Sequence, residues 1–378
     1  MKQLILLLGL LPGLAAAQQP FNYTITGQLG PLPATASVYL RQHGRLVDSA
    51  RVRSGHFVLR GTSQRPELVH LLLAPEGVLA AGYRTSPYLP ADARELLLEP
   101  TPLVLTSATG LRQAKLRAGP VNQDYQLFTA QCGALTEQLR GKWHPGDGVH
   151  LETLASYQRE RPFYQHVIRT FIQQHPASWV SLVLLEQRRL GPAQYDQIAP
   201  LYAGLSPTLR ATPAGRAYGQ LVDSLRLVAL GAVAPDLTLT TSTGKRVSIR
   251  DYRGQYLLLS FWSSHCACGF ELQPTQAVLR RYTDRPLAVL NVSLDDQAHR
   301  KQWLRAITDY QLLGTAASDL EGPSGRAVQR YHLDAPLQNF LLDPTGHIVA
   351  INLYGEELAA ELTKCLPTAH PKPTAEAK

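Results

Sequence analysis

FWSSHCACGFELQP, residues 261–274, joins an apolar run to a helical pattern, and two cysteines stand at the join. Upstream, Tyr256 to Phe261 is almost wholly apolar, as in a central strand buried on both faces. Downstream, Phe270, Ala277 and Val278 recur at helical spacing, which predicts a helix from Cys266. Cys266 and Cys268 thus fall at or just before a helix N-terminus. Unpaired N–H groups and the positive end of the helix dipole favour a thiolate there, lowering a cysteine pKa from about 8.5 into the range that attacks disulfides.

Further along the chain strands and helices go on alternating. Strands are expected at Leu237–Thr241, Val247–Ile249, Tyr256–Phe261 and Leu287–Ser293, with a helix at Gln297–Tyr310. A hairpin pairs Phe340–Leu342 with His347–Ile351 across Asp343-Pro344-Thr345-Gly346, and a last helix covers Glu356–Leu366. This order implies an α/β sheet with helices on both faces. Before it, residues 116–230 read as a helical connector. Phe163, Val167, Ile168 and Phe171 step along one helix (Tyr157–Gln174), and a second follows at Trp179–Gln187. Residues 18–115 alternate as half-buried strands do (Tyr23 and Ile25, Val38 and Leu40, Phe57 and Leu59), with Gly55 and Gly61 read as turns, giving a small antiparallel β-domain. His43, His56 and His70 are scattered here without cysteine company, unlike metal ligands.

Residues 1–17 have the form of a secretory signal: Lys2, an apolar core from Leu4 to Leu14, then Ala15-Ala16-Ala17. Export to the periplasm or beyond is therefore expected, with Gln18 rather than a lipid-accepting cysteine after the cleavage site. Four cysteines in 378 residues are too few for a disulfide-stapled scaffold. The net charge of +8 comes from scattered basic residues, mostly arginine, which argues for a solvated basic surface and against a nucleic-acid partner. The C-terminal α/β segment is taken as 231–367 and residues 368–378 as a disordered tail.

The segment APDLTLTTSTGKRVSIRDYRGQYLLLSFWSSHC, 234–266, together with a strand domain (YTITGQLG, DSARVRSGHFVLRG, RPELVHL) and the connector FIQQHPASWVSLVLLEQ, resembles the TlpA/ResA-like thiol-disulfide oxidoreductases of the thioredoxin superfamily. The resemblance implies a thioredoxin-like α/β fold behind a β-domain of unknown function. It also implies protein thiol or disulfide substrates, a membrane or periplasmic electron donor, and no cofactor or metal. Two departures stand out. The family's C-x-x-C is Cys266-Ala267-Cys268 here, so either Cys268 is the resolving cysteine after a one-residue deletion, or Gly269 replaces it. The family's cis-proline position falls on Leu337, with Pro336 one residue early, so that either the loop slips or the cis geometry is lost.

Residues two apart on a regular helix point to nearly opposite sides, whereas a disulfide needs Cβ atoms within about 4.5 Å. Cys266 and Cys268 can therefore bridge only if Cys266 lies outside the helix or the first turn is distorted. The short spacing suggests a strained, more oxidising bridge. By resemblance Glu271 is the family's acid near the resolving thiol, which relays a proton; the other reading is a carboxylate in the first helical turn, stabilised there by the dipole. Trp262 and Phe261 are expected around the site, Pro274 as a helix kink or first-turn residue, and His265 as an imidazolium beside the nucleophile or a spectator. Cys132 is expected as a small buried hydrophobe and Cys365 as structural or unpaired, neither as a catalytic thiol.

Two alternatives stay open. His265, Cys266 and Cys268 present two soft sulfurs and an imidazole, which suits Cu(I) and would make the chain a redox-inactive binding module. Ser263, three residues before Cys266, matches a peroxiredoxin-like pattern, but Leu259 occupies the upstream proline position.

Overall fold

The computed structural model describes residues 19–79, 92–140, 154–187, 194–266 and 269–366. Its contacts divide the chain into two units. One runs to Leu190 and includes Leu201–Gly219; the other combines Gly191–Pro200 with Gln220 onward.

In the first unit the described residues form eight strands in two four-stranded sheets. The strands are β1 (Phe21–Gln28), β2 (Ser37–Gln42), β3 (Arg45–Arg51), β4 (His56–Ser63), β5 (Leu68–Ala74), β6 (Ala93–Leu97), β7 (Leu103–Thr106) and β8 (Lys115–Arg117). The orders are β4-β1-β7-β8 and β3-β2-β5-β6. Ile25, Leu59 and Leu103 of one sheet share a core with Val38, Leu40, Val69 and Leu71 of the other, so period-two burial drives a face-to-face sandwich. Not every pair is antiparallel, since β1 and β7 run parallel. Gly55 turns the chain at φ +79° as expected. Gly61, however, lies within β4 opposite Tyr23 and is no turn. A Cβ there would come 2.4 Å from the Tyr23 hydroxyl, so the strand needs glycine to let that ring lie across it.

Helices α1 (Pro120–Arg140), α2 (Leu154–Gln174) and α3 (Trp179–Glu186) follow. The start of α1 is held by Glu99, 1% exposed, whose carboxylate accepts from the N–H groups of Gly119 (3.0 Å) and Val121 (3.2 Å) and from Asn122 Nδ2. Ile168 and Phe171 are buried as the helical spacing requires, whereas Phe163 is exposed. Phe171 meets Phe128 edge-on and stacks on His175. Shorter helices α4 (Tyr195–Gly204), α5 (Pro207–Arg210) and α6 (Pro213–Leu225) complete the helical region.

The second unit carries a seven-stranded sheet of order β10-β9-β13-β12-β11-β14-β15. Its strands are β9 (Thr238–Thr241), β10 (Arg246–Ser248), β11 (Tyr256–Trp262), β12 (Leu287–Ser293), β13 (Thr315–Ser318), β14 (Gln338–Leu342) and β15 (Ile348–Ile351). Its helices are α7 (Gly269–Arg280), α8 (Arg300–Asp309), α9 (Arg326–Tyr331) and α10 (Gly355–Cys365). β11 is parallel to β12 and antiparallel to β14, with every residue after Tyr256 buried. Alternation along β11 explains helices on both faces. Leu258 packs with Val278 and Leu279 of α7 and Leu358 and Leu362 of α10, while Phe261 faces Tyr331 of α9 and Phe340. Helix α7 begins at Gly269, three residues later than Cys266, and the Gln297–Tyr310 helix opens with a 3-10 turn at Gln297–His299.

Candidate functional site

β11 ends at Trp262, fully buried and paired in register with Ser293 at the end of β12. Phe261 is paired with Gln338, the first residue of β14. The carboxyl ends of two parallel strands and the start of an antiparallel one therefore share a rim, the place where open α/β sheets bind ligands.

From that rim the chain turns through Ser263, Ser264 and His265, and the Cys266 N–H closes the turn on the Ser263 carbonyl at 3.3 Å. Cys266 is half-buried, disulfide-bonded, and outside the helix. Its Sγ lies 2.9 Å from the Ser263 carbonyl oxygen, a contact that a thiol makes as donor and a disulfide sulfur makes by proximity. Cys132 and Cys365 remain thiols. Burial pushes the Cys365 thiol up, and Glu361 beside it adds to the effect, so it is a poor nucleophile. Cys268 and Ala267 lie outside the described residues. Glu271 stands on α7, its side chain likewise outside them, and Pro274 lies inside the same helix.

Cys266 packs in an apolar cluster with Trp262, Leu272 of α7, Trp303 of α8 and Leu337. Leu337 and Cys266 thus pack against the same buried cluster. The Leu337 carbonyl accepts from the Tyr354 hydroxyl at 3.1 Å. Among the described residues no peptide bond is cis, so Pro336 follows a trans bond and the loop has not slipped to give it the family's geometry. The side chain of Gln338 instead folds the loop, its Oε1 accepting from the N–H groups of Asp334 (2.9 Å) and Ala335 (3.3 Å).

The group that organises this rim is Asp295, two residues beyond β12. Its side chain is wholly buried. Oδ1 accepts from Ser263 Oγ (2.8 Å), Ser264 Oγ (3.1 Å) and His265 Nδ1 (2.9 Å), the Ser264 N–H reaches both oxygens at 3.2 Å, and Ser293 Oγ donates to Oδ2 at 2.7 Å. Burial alone would push this carboxyl up. The hydrogen bonds from Ser293, Ser263, Ser264 and His265 outweigh it and hold the carboxyl below the usual range. The His265 ring meets His299 edge-to-face with centroids 3.9 Å apart, and His299 Nδ1 bonds Asp296 at 2.6 Å. The Asp296 carboxyl is lowered chiefly by that bond.

Of the residues expected at the site, Cys266, Trp262, His265 and Leu337 come together on this rim. Asp295 and His299 were not anticipated. The signal for Asp295 was an acidic residue directly after an apolar strand, in Asn291-Val292-Ser293-Leu294-Asp295. Among the described residues no group of three or more His, Cys, Asp and Glu side chains is arranged to hold a metal ion. The Nδ1 of His265 is already engaged by Asp295. The Ser263 hydroxyl is likewise committed to Asp295.

Residues 230–351 match the AhpC/TSA family, and residues 23–125 match a domain of unknown function, DUF4369. A thioredoxin-like protein, YneN, of Bacillus subtilis (strain 168) is 29% identical over 125 residues, 32% of this chain and 71% of that protein. The thiol-disulfide oxidoreductase ResA of Bacillus thuringiensis subsp. konkukian (strain 97-27) is 22% identical over 143 residues, 38% of this chain and 79% of its own. A solved thiol-disulfide oxidoreductase from Bacteroides fragilis NCTC 9343 is 30% identical, covers 35% of this chain and 98% of its own, and gives a TM-score of 0.33. The family matches and the curated relatives give the C-terminal domain as an AhpC/TSA redoxin domain of thioredoxin-like fold, similar to thiol-disulfide oxidoreductases, behind a strand-rich DUF4369 domain and a helical region.

Proposed function

We propose that the chain is an exported thiol-disulfide oxidoreductase acting on protein thiols and disulfides through Cys266, with Cys268 as the resolving cysteine and an electron donor in the membrane or periplasm. The observation that carries this is a disulfide-bonded Cys266 on the sheet rim, between the buried end of β11 and the start of α7. The family-level likeness to thiol-disulfide oxidoreductases supports it. The pattern Lys2, Leu4–Leu14 and Ala15–Ala17 supports export, which would place the site where disulfides persist.

The chemistry is a two-electron exchange. The Cys266 thiolate attacks one sulfur of a substrate disulfide, the other sulfur leaves as a thiolate, and Cys268 then attacks Cys266 to release the second substrate sulfur. The dithiol of the protein is oxidised, and one substrate disulfide is reduced to two thiols. The reverse sequence oxidises a substrate.

Thiol trapping with mass spectrometry during a redox titration should find Cys266 bridged to Cys268 when oxidised, and Cys266→Ser should abolish reduction and isomerisation of a disulfide-bonded protein substrate. Unchanged turnover in Cys266→Ser, or no bridge at any poise, refutes the assignment.

A further inference from the structure

We propose that Asp295 is a positioning residue for Cys266 and acts through one peptide group, between Ser263 and Ser264, whose carbonyl it turns against the sulfur. Held this way, Cys266 is favoured as thiol or disulfide over thiolate; its part in exchange rests on the function proposed above. The two ends of that peptide carry the argument. Its N–H, on Ser264, reaches both carboxylate oxygens of Asp295 at 3.2 Å. Its C=O, on Ser263, lies 2.9 Å from Cys266 Sγ and accepts the Cys266 N–H at 3.3 Å. In a trans peptide N–H and C=O point opposite ways, so a carboxylate that grips the N–H also aims the oxygen. Ser263 Oγ donates to Asp295 at 2.8 Å and pins the same residue by its side chain. The acid is wholly buried and its carboxyl is held below the usual range, so it is charged wherever the thiol titrates.

A carboxylate on the N–H end polarises the peptide and makes its oxygen more negative. That oxygen accepts an S–H and repels a sulfur anion, which raises the thiol pKa. The apolar side chains of Trp262, Leu272, Trp303 and Leu337 in the same cluster disfavour a bare charge in the same direction. The helix dipole opposes both only weakly, because α7 starts three residues after Cys266 and the effect falls off within a turn. The other titratable groups on the surrounding elements are His265, spent on Asp295, then His299 with Asp296 behind it, Tyr310 at the edge of the cluster, and Glu271 on α7. The consequence for exchange is directional. In a mixed disulfide at Cys266, the Cys268 thiolate attacks the Cys266 sulfur, the bond to the substrate breaks, and the substrate sulfur leaves with the electron pair. Expulsion of Cys266 itself is disfavoured, since a thiol of raised pKa is a poor leaving group.

The test is the rate of iodoacetamide alkylation at Cys266 in the reduced full-length chain, followed by mass spectrometry between roughly pH 6 and 11. The wild-type midpoint should lie above the ordinary thiol value of about 8.5. Asp295→Asn should lower it by about one pH unit and speed alkylation at neutral pH about tenfold. Ser263→Ala should speed it about threefold with a shift of the same sign, and Ser263→Thr, which keeps the hydroxyl, should match wild type. The two Ser263 variants decide the matter if Asp295→Asn does not fold. A midpoint at or above wild type in Asp295→Asn or Ser263→Ala, or a Ser263→Thr profile that shifts as Ser263→Ala does, would overturn the proposal. Loosening of the turn that left the carbonyl out of account would change the rate alike at every pH and leave the midpoint in place. Alkylation needs no disulfide substrate, so lowered midpoints in a chain that exchanges no disulfide sink the proposed function and leave this clamp standing. Exchange with unmoved midpoints does the reverse.

Discussion

Cys266 and His265 were legible because they sit in one short motif whose flanks announce a strand and a helix. Asp295 was not, since it reaches His265 across thirty positions of sequence and only the register of β11 beside β12 brings them together. Its burial also has a thermodynamic signature. The folded carboxyl is held below its ordinary value of about 3.9, so the unfolded chain binds more protons in the interval between the two. Stability from this group is full above the unfolded value and is lost as pH falls through the folded one. Urea unfolding as a function of pH should therefore show wild type losing stability below about pH 4 more steeply than Asp295→Asn, which has no proton to gain. Parallel slopes for the two proteins would contradict the role given to the carboxylate.

Among the elements, six of the seven strands described in the C-terminal sheet were readable to within two residues, the central β11 and β12 as apolar runs, whereas β13 (Thr315–Ser318), four small residues without an apolar run, was missed. Helix starts were less so. The α7 pattern is apolar from Phe270 on, but apolar spacing does not reveal where the turn ahead of a helix ends, and Ser263–Cys266 belongs to that turn. Gly61 failed as a turn marker because its reason is a neighbour, Tyr23, on another strand. The Glu99 cap on α1 was equally invisible, lying about twenty residues before the helix it serves. Glu99→Ala should leave the buried Gly119 N–H, the part-buried Val121 N–H and the Asn122 amide short of an acceptor and cost about 2–4 kcal/mol. Denaturant melts would show this as a lower midpoint at unchanged slope. A midpoint equal to wild type would mean that water satisfies these donors.

At the level of the whole chain, the order of strand-rich, helical and α/β segments could be read from changes in apolar period. Contact grouping could not. Much of the helical region gathers with the strand-rich domain, while Gly191–Pro200 groups with the redoxin domain, because such affiliations depend on long-range packing that periodicity does not encode. The tryptophans are placed just as unevenly. Trp262 and Trp303 are buried in the cluster that also holds Cys266, and both indole N–H groups lack a hydrogen-bond partner among the described residues. Indoles kept this dry fluoresce towards the blue, and a nearby disulfide drains their excited state by accepting an electron. Reducing the bridge at Cys266 should therefore brighten the emission of this domain and reoxidation should dim it, a change that steady-state fluorescence would read with no dye attached.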